Sequence, residues 1–115
     1  MANENINKLG RLKKRSEFLY VRGGKYAARK HIVVQMRENP DAGGAMRCGF
    51  TATKKIGNAV VRNRAKRRMR ALAAQILPLQ GKAGCDYVFI ARNSTATAPW
   101  DELQNDVEKA LLRLK

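Results

Sequence analysis

The sequence has few acidic residues, cysteines and histidines, and each shortage excludes a class of protein. Nine Asp and Glu stand against 24 Lys and Arg in 115 residues, which gives a formal charge of +15. The two cysteines, Cys48 and Cys85, lie in strand-like segments, so we expect buried reduced thiols and no disulfide framework. One histidine, His31, together with these two distant cysteines, cannot form a tetrahedral zinc site within one chain.

Long apolar runs are also missing. No stretch of about 18 uncharged apolar residues is present, which argues against a membrane-spanning helix. The first fifteen residues lack the apolar core of a signal peptide, so we expect a cytoplasmic protein. Hydrophobic residues make up 44% of the chain, enough for a core of its own. We expect one nucleic-acid-binding domain over residues 1–115, with residues 1–10 as a flexible tail.

The acidic residues are too scattered for the active site of a protein nuclease. Asp101 and Glu102 are adjacent, but their place in the first turn of a predicted helix is explained by the helix dipole. Asp41 lies in a turn and Asp86 begins a strand, neither with an evident metal-binding companion. We therefore expect no catalytic residue and no small-molecule substrate, and the sequence leaves metal sites unknown.

The hydrophobic periodicity predicts an α+β fold, a two-layer sandwich with element order α-β-β-α-β-α around a central mixed sheet. The predicted elements are a helix at 17–22 capped by Ser16, strands at 31–37 and 46–53, a helix at 58–77, a strand at 87–91 and a helix from Pro99. The first two strands are expected to form a hairpin. The strand at 87–91 is almost wholly apolar, so we expect it inside the sheet and parallel to an earlier strand. The long helix is expected to end before Pro78.

The segment 54–70, KKIGNAVVRNRAKRRMR, holds eight of the 24 basic residues and no acid. These are Lys54, Lys55, Arg62, Arg64, Lys66, Arg67, Arg68 and Arg70. On a helix, an apolar stripe would face the sheet, formed by Val61, Ala65, Met69, Leu72 and Ile76. Arg62, Lys66 and Arg70 form one basic row, and Arg64 and Arg68 form another. Like charges at four-residue spacing destabilise a helix unless phosphates lie among them, so the pattern predicts a nucleic-acid-binding surface.

The segment 54–70 resembles the signature of the bacterial ribonuclease P protein component, Lys-Lys-x-Gly-x-Ala-Val-x-Arg-Asn-Arg-x-Lys-Arg-x-x-Arg. The resemblance covers residues 9–114, because the basic segment before Phe18, the strands, the pair Ala91-Arg92 and the leucine-bearing last helix follow in the same order. It implies one extra short strand and a left-handed crossover through the Arg-Asn-Arg helix.

The resemblance implies the auxiliary protein subunit of an endonuclease whose RNA subunit uses Mg2+ to remove the 5′ leader from precursor tRNA. The implied partners are the catalytic RNA and precursor tRNA; we expect no membrane partner, no tightly bound cofactor and a monomeric free protein. The implied contacts with the catalytic RNA are Arg62, Asn63, Arg64, Lys66, Arg67 and Arg70. The implied leader cleft contains Phe18, Lys54 and Lys55. Arg22 stands where the family often has a second aromatic, and we expect it to pair with a leader phosphate.

Several alternatives remain open at the level of sequence. Phe18 could stack on the leader or pack in the core, and Tyr20 or Tyr26 could take the stacking role. Trp100 is expected to pack rather than to bind RNA. A ribosomal type of RNA-binding protein shares the charge and size, and a DNA regulator would need base readout and usually a dimer.

Overall fold

The chain folds into a five-stranded mixed sheet with helices on both faces. The computed structural model describes residues 9–115. The strands are β1 (Leu9–Arg11), β2 (Lys25–Ala28), β3 (Ile32–Glu38), β4 (Met46–Thr51) and β5 (Cys85–Ala91). The helices are α1 (Arg15–Arg22), α2 (Ala59–Gln80) and α3 (Trp100–Leu114). The predicted α+β order is confirmed, and β1 and β2 are short edge strands added to it, where the resemblance implied one.

The main core lies between the sheet and the pair α2 and α3. Alternate residues of the strands point into it, among them Val34 and Phe89, which are fully buried. The predicted stripe of α2 faces the same core, with Met69 and Leu72 fully buried. A smaller cluster of Leu12, Val21 and Val88 lies on the opposite face, beneath α1. The sheet and the pair α2 and α3 form the predicted two layers, and α1 crosses the other face.

The strand order is β1-β4-β5-β3-β2, and it corrects one prediction. The hairpin expected between β3 and β4 is wrong, because β5 lies between them, parallel to β4 and antiparallel to β3. Six of the seven residues of β5 are buried, and a strand that is apolar on both faces is stabilised most at the centre of a sheet. The prediction that β5 lies inside the sheet and parallel to an earlier strand is confirmed. The hand of the crossover through α2 stays a prediction.

Two helix boundaries differ from those expected. Helix α1 begins at Arg15 with Lys14 as its N-cap, rather than after Ser16. The Glu17 carboxylate explains the shift, since its Oε1 accepts hydrogen bonds from the backbone N–H groups of Lys13 and Lys14, at 2.7 and 2.9 Å. Helix α2 runs past Pro78 to Gln80. A proline so close to the helix end costs one backbone hydrogen bond, and burial of the preceding residue, Leu77, holds the last turn in place.

Part of the expected amino-terminal tail forms a strand. Leu9 and Gly10, expected in a flexible tail, pair with β4 as part of β1; residues 1–8 of that expected tail lie outside the described residues. Cys48 and Cys85 are both buried and unpaired, which confirms the prediction of free thiols. Among the helices of residues 9–115, none is long and apolar enough to cross a membrane.

Candidate nucleic-acid interface

The solvent side of α2 is a continuous basic surface. Asn58 starts the helix, its Oδ1 accepting a hydrogen bond from the Val61 N–H at 3.0 Å. Of the six predicted RNA contacts, four are exposed and two, Arg62 and Lys66, are half-buried. The exposed ones are Asn63, Arg64, Arg67 and Arg70. Within residues 9–115, no carboxylate lies within salt-bridge distance of a basic residue of α2. The positive charge of the α2 surface is therefore not neutralised by a carboxylate of this part of the chain.

Arg68 differs from the other arginines of the helix. Its guanidinium donates hydrogen bonds to the backbone oxygens of Thr95, at 2.6 Å, and Ala98. The same group lies 5.5 Å from the centroid of the Trp100 ring. Burial, together with repulsion from Arg64, lowers the pKa of Arg68. The row of Arg64 and Arg68 predicted from sequence therefore separates into one exposed cation and one structural residue. Trp100 is 40% exposed, so its predicted packing role stays a prediction.

A groove lies where α2 meets the loop before α3. Arg64, Arg67 and Arg68 form one side, Ala96 and Thr97 form the other, and the groove has a volume of about 510 Å³. Two of its arginines point free guanidinium groups toward solvent, while Arg68 holds the loop in place. A guanidinium presents a planar fork of donors that matches phosphate oxygens, so the groove is suited to an RNA backbone.

The second candidate surface is a cleft on the opposite face of the sheet. Helix α1 crosses one part of this face and leaves a hollow of about 690 Å³ beside it. The lining residues are Arg15, Phe18, Leu19 and Arg22 of α1 with Gln35, Thr51, Thr53, Val88 and Ile90. None of them is acidic. The cleft therefore has a floor of mixed polar and apolar side chains, with an aromatic side chain and two cations on its wall.

The four predicted cleft residues do not all line this hollow. Phe18 and Arg22 do. Lys54 and Lys55 are exposed in the 3-10 turn immediately after Thr53, so they follow β4 and precede α2 in the chain. Sequence reasoning missed Gln35, although alternation along β3 gives a signal: its buried neighbours Val34 and Met36 require it to face the other way.

Phe18 packs on the sheet and also lines the cleft. The two roles left open by the sequence, packing and stacking on the leader, are therefore compatible. It is half-buried, and its ring lies on Gly49 of β4. A Cβ at position 49 would lie 2.5 Å from the Phe18 ring. Because Gly49 has no side chain, the Phe18 ring can lie directly on the strand.

Tyr20 is occupied by contacts within the protein. Its hydroxyl donates a hydrogen bond to the Glu38 backbone oxygen, and the Arg37 guanidinium lies 4.2 Å from its ring centroid. Arg37 also donates to the Tyr20 backbone oxygen at 3.0 Å. These contacts attach the carboxyl-terminal half of α1 to β3, and they leave Tyr20 unavailable for stacking on a base.

The amino-terminal half of α1 is attached through Arg47 of β4. Arg47 donates to both carboxylate oxygens of the buried Asp86, at 2.9 and 2.7 Å, and to Glu17 Oε2 at 3.2 Å. Asn39 donates a further hydrogen bond to Asp86. The backbone hydrogen bonds to Glu17 lower the pKa of its carboxyl, and the bond to Asp86 raises the pKa of Arg47. This network fixes the helix that carries Phe18.

The buried histidine belongs to a structural cluster. His31 Nδ1 lies 2.6 Å from Ser94 Oγ, and its Nε2 lies 3.2 Å from Glu102 Oε1. The Asp106 carboxylate accepts a hydrogen bond from the His31 backbone N–H at 2.9 Å. These contacts join α3 to the sheet, on the face away from the cleft. In the described part of the chain, no three His, Cys, Asp or Glu residues are placed to hold a metal ion.

The same fold is found in solved ribonuclease P proteins. The Staphylococcus aureus RNase P protein superposes with a TM-score of 0.77 at 30% identity, covering 94% of this chain and 97% of that one. The protein from Thermotoga maritima also gives a TM-score of 0.77, at 26% identity and 91% and 97% coverage. The class of fold is therefore that of the RNase P proteins.

Sequence comparison gives the family. The ribonuclease P family model matches residues 6–115. The ribonuclease P protein component of Caulobacter vibrioides is 49% identical over 107 residues, 93% of this chain and 72% of the relative. That of Ruegeria pomeroyi is 48% identical over 106 residues, 90% and 84% of the two chains. The chain belongs to the ribonuclease P protein family, which confirms the resemblance found in residues 54–70 and the role in ribonuclease P that goes with it.

Proposed function

We propose that the chain is the auxiliary subunit of ribonuclease P and that it binds two RNA segments at once. Helix α2 binds the catalytic RNA, and the cleft beside α1 binds the single-stranded 5′ leader of precursor tRNA. The observation that carries the proposal is the placement of a basic helix and an aromatic cleft on opposite faces of one sheet, without an acidic residue in either surface.

The contacts of α2 are with phosphates. Arg62, Asn63, Arg64, Lys66, Arg67 and Arg70 form the proposed contact set. Their mutual repulsion destabilises the free helix, and phosphates placed among them reverse the sign of that interaction. The shallow groove lined by Arg64, Arg67 and Thr97 is the place on this surface where we propose that one segment of RNA backbone lies.

The cleft fits a single strand of RNA better than a duplex. Single-stranded nucleic acids bind where an aromatic side chain stacks on a base beside cations that hold the backbone. Phe18 supplies the aromatic face, and Arg15 and Arg22 supply the cations. Lys54 and Lys55, at the end of β4, connect the cleft to α2 and contact the RNA that passes between them.

The RNA subunit carries out the hydrolysis with Mg2+, and the protein assists by screening the repulsion between the catalytic RNA and its substrate. Screening by a protein with formal charge +15 lowers the magnesium concentration that the complex needs. We also propose that the free protein is a monomer, that it acts in the cytoplasm and that it has no tightly bound cofactor of its own.

Replacement of Phe18 by Leu tests the leader cleft. Leucine retains an apolar contact with Gly49 but lacks a π face, so stacking on the leader is lost while the helix keeps its place. In the holoenzyme reconstituted with a bacterial ribonuclease P RNA, we expect affinity for leader-bearing tRNA to fall about fivefold or more, with affinity for mature tRNA unchanged.

The control is Leu112→Ala, which removes an exposed apolar side chain of α3 far from the cleft and is expected to change neither affinity. If Phe18→Leu weakens leader-bearing and mature tRNA equally, the cleft does not bind the leader and Phe18 serves packing alone.

A further inference from the structure

Tyr26 presents its ring to solvent, and no hydrogen bond or ring contact within residues 9–115 accounts for this position. The side chain is 69% exposed on the edge strand β2. Of the other two tyrosines, Tyr20 bonds to Glu38 and lies under Arg37, and Tyr87 is buried with its hydroxyl accepting a hydrogen bond from the Lys82 N–H. Tyr26 makes no hydrogen bond through its hydroxyl to any residue in 9–115. An exposed aromatic ring of this kind offers a face on which a base can stack.

The register of the sheet places Tyr26 in line with the cleft. Gly49 pairs with Val88, Val88 with Gln35, and Gln35 with Tyr26, so the four residues form one row across β4, β5, β3 and β2. Paired residues point to the same face of a sheet. The row begins under the ring of Phe18, passes through two lining residues of the cleft and ends at Tyr26.

The distance along this row sets how much RNA it can hold. Neighbouring strands lie about 4.8 Å apart, so three strand spacings separate β4 from β2 by roughly 14 Å. Bases stacked on one another are about 3.4 Å apart. A strand of RNA that reached both Phe18 and Tyr26 would therefore meet the two rings with different nucleotides.

The direction of the bound RNA strand follows from the position of α2, the proposed site for the catalytic RNA. Helix α2 packs under β4 and β5, whereas α3 packs under β3 and β2. Lys54 and Lys55 follow β4 as well. The proposed contacts with the catalytic RNA are thus at the β4 side, and Tyr26 lies at the far edge. A leader that leaves the catalytic RNA at the β4 side reaches Phe18 first and Tyr26 with nucleotides farther from the cleavage site.

We propose that Tyr26 is a second stacking site for the precursor leader, which holds a base upstream of the one at Phe18 and extends the cleft across β2. Arg22, at the end of α1, lines the cleft on the same side and supplies a cation for the backbone between the two bases. This inference rests on the proposed function of the cleft, and it assigns Tyr26 a role that depends on leader length.

A series of leader lengths tests the inference in the reconstituted holoenzyme. Precursor tRNAs with leaders from one nucleotide upward are bound to holoenzymes with the unaltered protein, Tyr26→Ala, Tyr26→Phe and Phe18→Leu. We expect Tyr26→Ala to leave short leaders unaffected and to weaken binding about fivefold or more once the leader passes a threshold length. Tyr26→Phe retains the ring and should behave as the unaltered protein.

The Phe18 variant separates the two proposals, since its loss of affinity is expected at shorter leaders than that of Tyr26→Ala. If Phe18→Leu weakens leader binding and Tyr26→Ala has no effect at any length, the inference is wrong and the leader cleft stands. If Tyr26→Ala weakens all lengths equally, mature tRNA included, Tyr26 is not an upstream stacking site. If neither variant affects leader binding, the cleft does not bind the leader, and the inference about Tyr26 is wrong as well.

Discussion

Gly49 shows how a single missing side chain prepares a binding surface. Its backbone has an ordinary strand conformation, with no positive φ. A glycine is therefore required here only because a side chain would not fit. An added methyl group would lie 2.5 Å from the Phe18 ring and 3.1 Å from Leu12. Such contacts force either the ring or α1 away from the sheet. A sequence pattern can mark a glycine in a strand as a site of close approach, but which residue approaches depends on the position of α1.

We therefore expect Gly49→Ala to lower the free energy of unfolding by about 1–3 kcal/mol, as overpacking does. Denaturant unfolding measures the change. In a Phe18→Leu background the penalty should shrink, because the smaller side chain leaves room for the methyl group. An equal penalty in both backgrounds would mean that Phe18 is not the residue displaced.

Glu17 makes part of the stability depend on pH. Hydrogen bonds from the backbone at Lys14 and Lys13, and the charge of Arg47, lower the pKa of this carboxyl in the folded protein. A group whose pKa is lower in the folded state contributes stability that is fully present above its ordinary pKa, 4.5 for this residue, and is lost as the pH falls through the folded value.

Glu17→Gln should accordingly be less stable than the unaltered protein at pH 7, with a smaller loss of stability on acidification below pH 4.5. Urea unfolding of both proteins across this pH range checks the prediction. Parallel stability curves for the two proteins would show that the Glu17 carboxylate contributes nothing to the fold.

At the scale of elements, the sequence predicts those features of α2 that depend on neighbouring residues in the chain. The apolar stripe repeats at helical spacing, so the buried face, from Ala65 to Ile76, follows from the sequence. The division of labour among its arginines does not, because Arg68 is defined by the carbonyl groups of Thr95 and Ala98, 27 and 30 residues away along the chain. Charge patterns identify a basic helix without showing which of its cations the fold uses.

The pairing of strands was less predictable than their existence. Strands β3 and β4 are adjacent in sequence and separated by a turn, which favours a hairpin. The structure instead inserts β5, since both its faces require cover. Which strands lie beside β5 depends on the whole sheet, so the local sequence pattern could not predict this strand order. The cleft residues Gln35, Thr51 and Ile90 come together only because of this order.

The arginines of α2 should separate into two groups by their effects. Arg68→Ala removes two charge-assisted hydrogen bonds and a contact with Trp100, so we expect it to destabilise the protein by about 2–3 kcal/mol. Arg64→Ala and Arg67→Ala should change stability by less than about 0.5 kcal/mol. Each should instead weaken binding to the catalytic RNA and reduce the slope of log affinity against log salt by about 0.7–0.9 per lost phosphate contact.

Denaturant unfolding and salt-dependent RNA binding measure these two properties separately. The matched control is Arg113→Ala, which removes an exposed cation from the last turn of α3 and should alter neither the stability nor the salt slope appreciably. An unchanged salt slope for Arg64→Ala and Arg67→Ala would remove these residues from the RNA interface.

At the scale of the molecule, the excess of positive charge is organised by the fold. Four of the nine acidic residues lie in α3, namely Asp101, Glu102, Asp106 and Glu108, which packs under the β2 and β3 half of the sheet. Asp86 and Glu17 are paired with Arg47. The basic face of α2 and the cleft are left without acids. The sequence shows the size of the charge imbalance. The topology places the excess positive charge on two surfaces, which we propose bind two RNA segments.

Cleavage of precursor tRNA at low magnesium is the most direct test of the proposed role of the protein. The purified protein is mixed with a bacterial ribonuclease P RNA and a leader-bearing tRNA, at a magnesium concentration where the RNA alone is nearly inactive. We predict that the protein restores cleavage at the mature 5′ end and has no activity without the RNA. Failure to stimulate cleavage would contradict its role as a bridging subunit, and cleavage by the protein alone would contradict the assignment of catalysis to the RNA.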